Sequence, residues 1–365
     1  MKIRNILLNF IVYAIIALTV YGQNNADTVS VKSLKEVYAG KFLIGAAADL
    51  RGYSDAELAN IKTQYDILTP ENCMKPQPIH PSEDTYNFAT ADAMVEWCRQ
   101  NGVKVWGHTL VWHAQTGRWF FQDSTGQPAT REVVMERLKK HIFTVVGRYK
   151  GRVVGWDVVN EAIADSGVGK TENLRKRSWY TAIGPDVLTM AFKWAHEADP
   201  DAKLFYNDYN IEQGAVGDSG KHASSMILLK RLIAEGAPIT GVGIQGHWHL
   251  ETNLADVEKA ITDYASLGLE VSITELDVTA TGSNSGAFGF RRGNVTIPKE
   301  NYLKQAEVYK KLFEIFKRHS GVIDRVTFWG ISDNRSWRWG QDALLFDRQL
   351  QPKPAFNAVI EVGSE

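Results

Sequence analysis

The chain has 365 residues, 44% hydrophobic and 23% charged, the proportions of an ordinary soluble globular protein long enough for one large α/β barrel. Its formal net charge of −1 leaves no charged field to attract nucleic acid or an anionic membrane, so a neutral partner is expected. Cys73 and Cys98 are the only cysteines, too few for a disulfide framework. A single bridge and two separate buried thiols are both open, and separate thiols are the expectation.

The first residues read as an export signal. Lys2 and Arg4 precede a nearly all-apolar run from Ile6 to Val20, and Val20-Tyr21-Gly22 offers small or modest residues before a cut. That run is shorter than the roughly 20 residues a membrane-spanning helix needs, although an uncleaved anchor is the alternative. Residues 1–22 are expected to be removed, which gives an exported protein, periplasmic or extracellular, that begins near Gln23. Residues 27–365 are expected to form one barrel domain, a monomer with no stable membrane insertion once the signal is cut.

Through this region apolar, β-branched runs alternate with helical patterns, as βαβ units of a parallel sheet require. The predicted strands are Phe42–Ala47, Ile67–Thr69, Val103–Gly107, Val153–Val159, Lys203–Asn207, Gly241–Gln245, Leu269–Thr274 and Arg325–Gly330. Between them, Thr130 starts a helix that ends near Gly151. Leu254, Val257, Ile261 and Tyr264 form a helical stripe behind a Thr252 cap. Leu303, Ala306, Tyr309, Leu312, Phe313 and Phe316 do the same behind Pro298, and a last helix follows Pro354. Eight strands with helices between them predict a closed (β/α)8 TIM barrel in one domain. Thr281–Thr296, rich in Gly, Ser and Asn, predicts a loop at a strand C-terminus, where functional loops of a barrel sit.

Two glutamates carry the chemistry. Glu161 ends the fourth run in Trp156-Asp157-Val158-Val159-Asn160-Glu161-Ala162, and Glu275 the seventh in Ser272-Ile273-Thr274-Glu275-Leu276-Asp277-Val278. Glycosidic cleavage needs two carboxyl groups, a proton donor to the leaving oxygen and a base or nucleophile at the anomeric carbon. Strand alternation puts Gln245, His247 and His249 on one face, and Glu275 and Asp277 on another. The rim should therefore gather His108, Asn160, Glu161, Asn207, Gln245, His247, Glu275 and Asp277. Trp112, Trp248, Trp329, Trp337, Trp339, Tyr206 and Tyr209 accompany them, and amides, charges and indole rings together suit a sugar. Trp119 and Trp339 are open between cleft and packing, whereas Trp97, Trp106 and Trp194 read as core. His141, His196, His222 and His319 read as surface or satisfied structural residues. His247 and His249 lack a third ligand at sensible spacing, so neither a metal nor a cofactor is expected.

The chain resembles glycoside hydrolase family 10, the retaining endo-β-1,4-xylanases. The resemblance rests on seven segments in the family's order: Thr69–Lys75, Gly107–Gln115, Trp156–Ala162, Tyr206–Asn210, Gly243–His247, Ile273–Val278 and Phe328–Asp333. It implies Glu161 as general acid/base and Glu275 as nucleophile, with Asn160 on the substrate 2-hydroxyl. It implies His247, beside Asp277, as the group that orients Glu275. Glu71, Asn72, Lys75, His108, Trp112 and Gln115 would bind sugars on the non-reducing side. Trp329 and Trp337 would cover the sugars beside the cut, Asn207 and Tyr209 would face the bond or the leaving-group side, and Gln245 would join the binding set. The implied partners are xylan and xylo-oligosaccharides. A barrel glycosidase acting on β-glucan or mannan and a non-catalytic sugar-binding barrel are the competing readings. Lys75, Trp112 and Gln115 favour xylan, and the two intact glutamates favour catalysis.

Overall fold

The computed structural model describes residues 32–281 and 296–365. The expected export signal, and all of the loop expected over Thr281–Thr296 except its two ends, lie outside the described residues. Among the described residues no helix is long and apolar enough to cross a membrane.

Ten strands are formed among the described residues: β1 Leu43–Ala47, β2 Ile67–Thr69, β3 Lys104–Val105, β4 Gly107–Trp112, β5 Gly155–Asn160, β6 Lys203–Asp208, β7 Gly241–Ile244, β8 His247–His249, β9 Glu270–Thr279 and β10 Ile323–Phe328. All pair in parallel in the order β3-β2-β1-β10-β9-β7-β6-β5-β4, with β8 alongside the far end of β9. The two ends of that ladder are successive pieces of one strand parted at Trp106. Trp106 N donates to Leu68 O and Val154 N to Val105 O, both at 2.9 Å, so the backbone closes the ring. The result is the expected (β/α)8 barrel.

Helices lie between the strands where the stripes and caps placed them. Thr130 caps Arg131–Tyr149, Pro298 precedes Lys299–Arg318, and Pro354 opens the final helix at its first turn, where a missing N–H costs nothing. One cap is corrected. Asn253, not Thr252, precedes Leu254–Ser266, its side chain accepting from Ala255 N at 3.2 Å. Thr252 Oγ1 instead accepts from His249 N.

The bottom of the barrel is plugged by Trp106 and Phe205, with the buried Arg325 guanidinium 3.3 Å from the Trp106 ring. Gly155 and Gly241 make room, since a Cβ at either would lie 2.5 Å or less from an aromatic carbon of this plug. At the opposite rim the register slips in β4, β5 and β9, where each strand carries one residue more than its partner. Such bulges re-aim side chains at barrel rims. The one in β9 lies between Ile273 and Leu276 and lets Thr274 and Glu275 both reach inward.

Candidate active site

The rim holds a cleft of about 1030 Å³ lined by Glu71, Asn72, Lys75, His108, Trp112, Gln115, Asn160, Glu161, Tyr209, Asn210, Gln245, His247, Glu275, Trp329 and Trp337. Of the residues expected to act on or bind the sugar, all but two are on this wall. Asn207 and Asp277 lie beneath it, both fully buried. Asn207, expected to face the bond or the leaving-group side, has its short side chain spent below the floor. Its Nδ2 donates to Asn160 Oδ1 and Glu275 Oε1, each at 2.9 Å, and its Oδ1 accepts from Thr274 Oγ1 at 2.6 Å.

A run of amides thus joins the two glutamates. Gln245 Nε2 donates to Glu161 Oε1 at 3.1 Å and lies 3.3 Å from Asn160 Oδ1, which leads through Asn207 to Glu275. Trp112 Nε1 holds the other oxygen of Glu161 at 2.8 Å. The Glu161 backbone is left-handed, φ 57°, a conformation that a residue with a Cβ keeps only where its surroundings fix it.

Glu275 has a different setting. His247 donates from Nε2 to Glu275 Oε2 at 3.2 Å and from Nδ1 to Asp277 Oδ2 at 2.9 Å. Asp277 also accepts from Trp337 Nε1 at 2.8 Å and Arg338 Nε at 3.2 Å. Burial works against a charged His247, but Asp277 and Glu275 outweigh it and raise the imidazole to about 9, so the ring is a cation at neutral pH. Burial likewise pushes the Glu275 carboxyl up, yet the His247 hydrogen bond and the fields of His108, His247 and Lys75 bring it below the ordinary value. Glu161 goes the other way. Burial and the charge of Asp208 raise it, and the Trp112 and Gln245 hydrogen bonds offset only part of that rise. Two carboxyl groups pushed in opposite directions can hold and lack a proton at the same pH.

Lys75 and His108 stand on the wall beside Trp112. Lys75 Nζ lies 5.1 Å from the Trp112 ring and 3.2 Å from Asn72 Oδ1. His108 Nδ1 is held by the buried Asp157 at 2.9 Å, which leaves Nε2 for a ligand.

The sequence profile of Glycosyl hydrolase family 10 matches residues 33–362, nearly the whole described chain. The chain belongs to glycosyl hydrolase family 10. It is 42% identical over 349 residues to a protein of Dictyoglomus thermophilum named Beta-1,4-xylanase, covering 93% of each. It is 39% identical over 351 residues to an exoglucanase of Acetivibrio thermocellus, 93% of this chain but 30% of that protein. Among solved structures, an intracellular xylanase of Thermoanaerobacterium saccharolyticum in complex with xylotriose superposes with a TM-score of 0.82 at 38% identity, covering 91% of this chain and 99% of that one.

The family 10 barrel also corrects several sequence expectations. Trp248 is buried against Phe316, with its Nε1 donating to Glu212, and Tyr206 is buried with its hydroxyl on Asp208. Neither is on the cleft wall. His249, two residues beyond His247 on β8, is outside the cleft lining and pairs with Glu251. Trp339 is 72% exposed and outside the cleft lining, and Trp119 stacks on Phe120. Cys73 and Cys98 are not bridged. Residues not anticipated are His113, 3.8 Å from Glu161, Arg175 on the Glu161 carbonyl, Arg338 on Asp277, and the Asp208–Lys221 pair. Arg338 follows Trp337 directly, and that adjacency is a signal the sequence carries. The others depend on contacts between distant segments.

Proposed function

We propose that this protein is an exported, retaining endo-β-1,4-xylanase that hydrolyses internal β-1,4-xylosidic bonds of xylan by double displacement. One observation carries the reading: Glu161 and Glu275 share a hydrogen-bonded amide floor, yet one is biased toward its acid and the other toward its carboxylate. Glu275 attacks the anomeric carbon as its bond to the leaving oxygen breaks, and Glu161 gives its proton to that oxygen. Water then loses a proton to Glu161 and attacks the same carbon, and Glu275 departs as carboxylate. Asn160 takes the 2-hydroxyl, where a hydrogen bond tightens as the oxocarbenium ion forms. Glu71, Asn72, Lys75, His108, Trp112 and Gln115 hold sugars on the non-reducing side, Trp329 and Trp337 cover the sugars beside the bond, and Tyr209 meets the leaving side. The name of the D. thermophilum relative and the xylotriose bound to the solved neighbour support this substrate class.

Proton NMR of the first product tests the reading: the β-anomer is expected, and a first-formed α-anomer overturns it. Glu161→Ala should spare aryl xylosides whose leaving group needs no proton, whereas Glu275→Ala should be inactive on every substrate. The exoglucanase relative makes β-1,4-glucan the second substrate to assay. Export is read from the basic start and short apolar run alone. N-terminal sequencing of secreted material should begin near Gln23, and recovery of Met1 in a membrane fraction would favour an anchor.

A further inference from the structure

We propose that Asp208 and Lys221, neither of which lines the cleft, are positioning residues for Glu161: together they fix its backbone and set the charge it faces as it holds or gives a proton. The inference rests on the reading of Glu161 as proton donor. Asp208 ends β6, one residue past Asn207, and is fully buried. Its carboxylate takes four donors. Lys221 Nζ and Tyr209 N reach Oδ1, each at 2.8 Å, and Tyr206 Oη at 2.5 Å and Ile163 N at 3.3 Å reach Oδ2. Ile163 lies two residues beyond Glu161, so Asp208 grips the segment that leaves the acid. Two more bonds hold Glu161 itself: its N–H donates to Asn207 O at 2.8 Å, and its carbonyl accepts from Arg175 Nε at 3.2 Å. These contacts sustain the left-handed backbone of Glu161.

Lys221 comes from the helix Gly220–Ala234 and is only 5% exposed. Its ammonium lies 3.5 Å from the Tyr209 ring centroid, beneath a ring that lines the cleft, and 3.7 Å from Asp165 Oδ1. A buried ion pair is a weak source of stability, because an apolar pair of like shape commonly does as well or better. Stability alone therefore does not account for the pair, and its neighbour supplies a second role. After burial, Asp208 is the first charge that raises Glu161, and Lys221 is the cation that touches Asp208. The other charged or titratable groups around Glu161 are His113 and Lys75 from the β4 and β2 loops, Arg175 and Asp165 from its own loop, and Glu275 from β9. Around Asp208 they are Tyr206 from β6, Tyr209 and Glu212 beyond it and Tyr264 from the helix Leu254–Ser266.

The experiment is the pH profile of kcat/KM on xylohexaose, whose basic limb reports loss of the proton from the acid. Asp208→Asn keeps the shape and removes the negative charge, so the limb should move down by about half a pH unit or more. Lys221→Met leaves the Asp208 charge without its partner, so the limb should move up. Lys221→Arg should leave it in place. Opposite shifts are not what a purely structural role produces, since loss of fold lowers rate without moving the limb in two directions. Circular dichroism and thermal melts establish that each variant is folded, and if Asp208→Asn does not fold, Lys221→Met carries the test alone. A limb that stays put in the folded Asp208→Asn, or in Lys221→Met where it stands alone, overturns the proposal. Dinitrophenyl β-xylobioside separates this from the reading beneath it. Its leaving group needs no proton, so the wild-type limb should vanish there, and a limb that persists belongs to some group other than Glu161.

Discussion

Asn207 Nδ2 stands 2.9 Å from Glu275 Oε1, although β6 and β9 are separated in the sheet by β7. The gap is crossed because β7 has a glycine at the crossing point. A Cβ on Gly243 would lie 2.3 Å from Asn207 Oδ1 and 2.7 Å from Thr274 Cγ2. Both neighbours are short side chains with hydrogen bonds of their own, so neither can swing away cheaply.

Gly243→Ala should therefore push Asn207 off Glu275 and Thr274 while leaving every cleft-lining side chain chemically intact. Displacement of a reacting group by about 1 Å commonly costs up to 10²-fold, so kcat should fall by about 10–100-fold. KM should change less, because no residue in contact with the sugar is altered. Steady-state kinetics on xylohexaose check this, and an unchanged kcat would mean that the Asn207 bridge does not hold Glu275 in its working position.

His247→Asn should move the acidic limb of kcat/KM to higher pH. Burial already pushes Glu275 up, and the His247 hydrogen bond is the strongest of the interactions that hold it down. Without the imidazolium, burial gains on the remaining fields of His108 and Lys75, so the carboxylate takes a proton at higher pH, and the limb should follow by about one pH unit. Titration of kcat/KM on the acid side measures it. A limb that stays in place would assign the low-pH loss to a different group.

Most of the cleft was legible because its residues sit at the ends of apolar runs, where strand and barrel geometry deliver side chains to one rim. Three things were not. The strand reading stopped at Thr274 because Glu275 and Asp277 are charged, yet β9 continues to Thr279 with both carboxylates facing inward to partners. The third strand was read as ending at Gly107, whereas pairing continues to Trp112 after a break at Trp106. The layer under the cleft was invisible for another reason. Asp208 and Lys221 are 13 residues apart, on a strand and a helix, and no periodicity marks two polar residues as partners. Trp248 and Tyr206 misled in the opposite sense, since a polar tip on an aromatic ring suits a core hydrogen bond as well as a sugar.

A pair of buried histidines should make stability pH-dependent. His80 and His141 are fully buried, with Nδ1 atoms 3.1 Å apart and rings 7° from parallel. Burial depresses both, His80 from 6.5 down to about 4. In that window the unfolded chain binds protons that the folded chain refuses, so stability is present above 6.5 and is lost as pH falls. Each ring can contribute up to about 1.4 kcal/mol per pH unit. Urea midpoints across the window should fall more steeply for the wild type than for His141→Gln, which cannot titrate. Parallel slopes would show that His141 is protonated as readily folded as unfolded.

The final prediction concerns xylose against glucose. Xylose lacks the hydroxymethyl group on C5, so a wall closed around that carbon accepts xylose and clashes with glucose. Trp329 and Gln115 are the candidates for that wall. Both line the cleft, and Trp329 is 7% exposed, with its ring edge-on to His108 at 5.3 Å and to His247 at 6.5 Å. Gln115 is held on its loop in a left-handed backbone, φ 44°, with its carbonyl accepting from Gln77 N at 2.7 Å. A wall built this way rejects the wrong sugar without tightening on the right one. One misfitting small group is commonly worth about 1–3 kcal/mol, so the preference should be large but finite. Trp329→Ala should lower kcat/KM on xylosides, through lost ring contact, and narrow the ratio between matched aryl xylobiosides and cellobiosides by about 10-fold or more. If that ratio stays where it was, the discrimination lies elsewhere in the cleft, and Lys75, Trp112 and Gln115 are the next positions to trim.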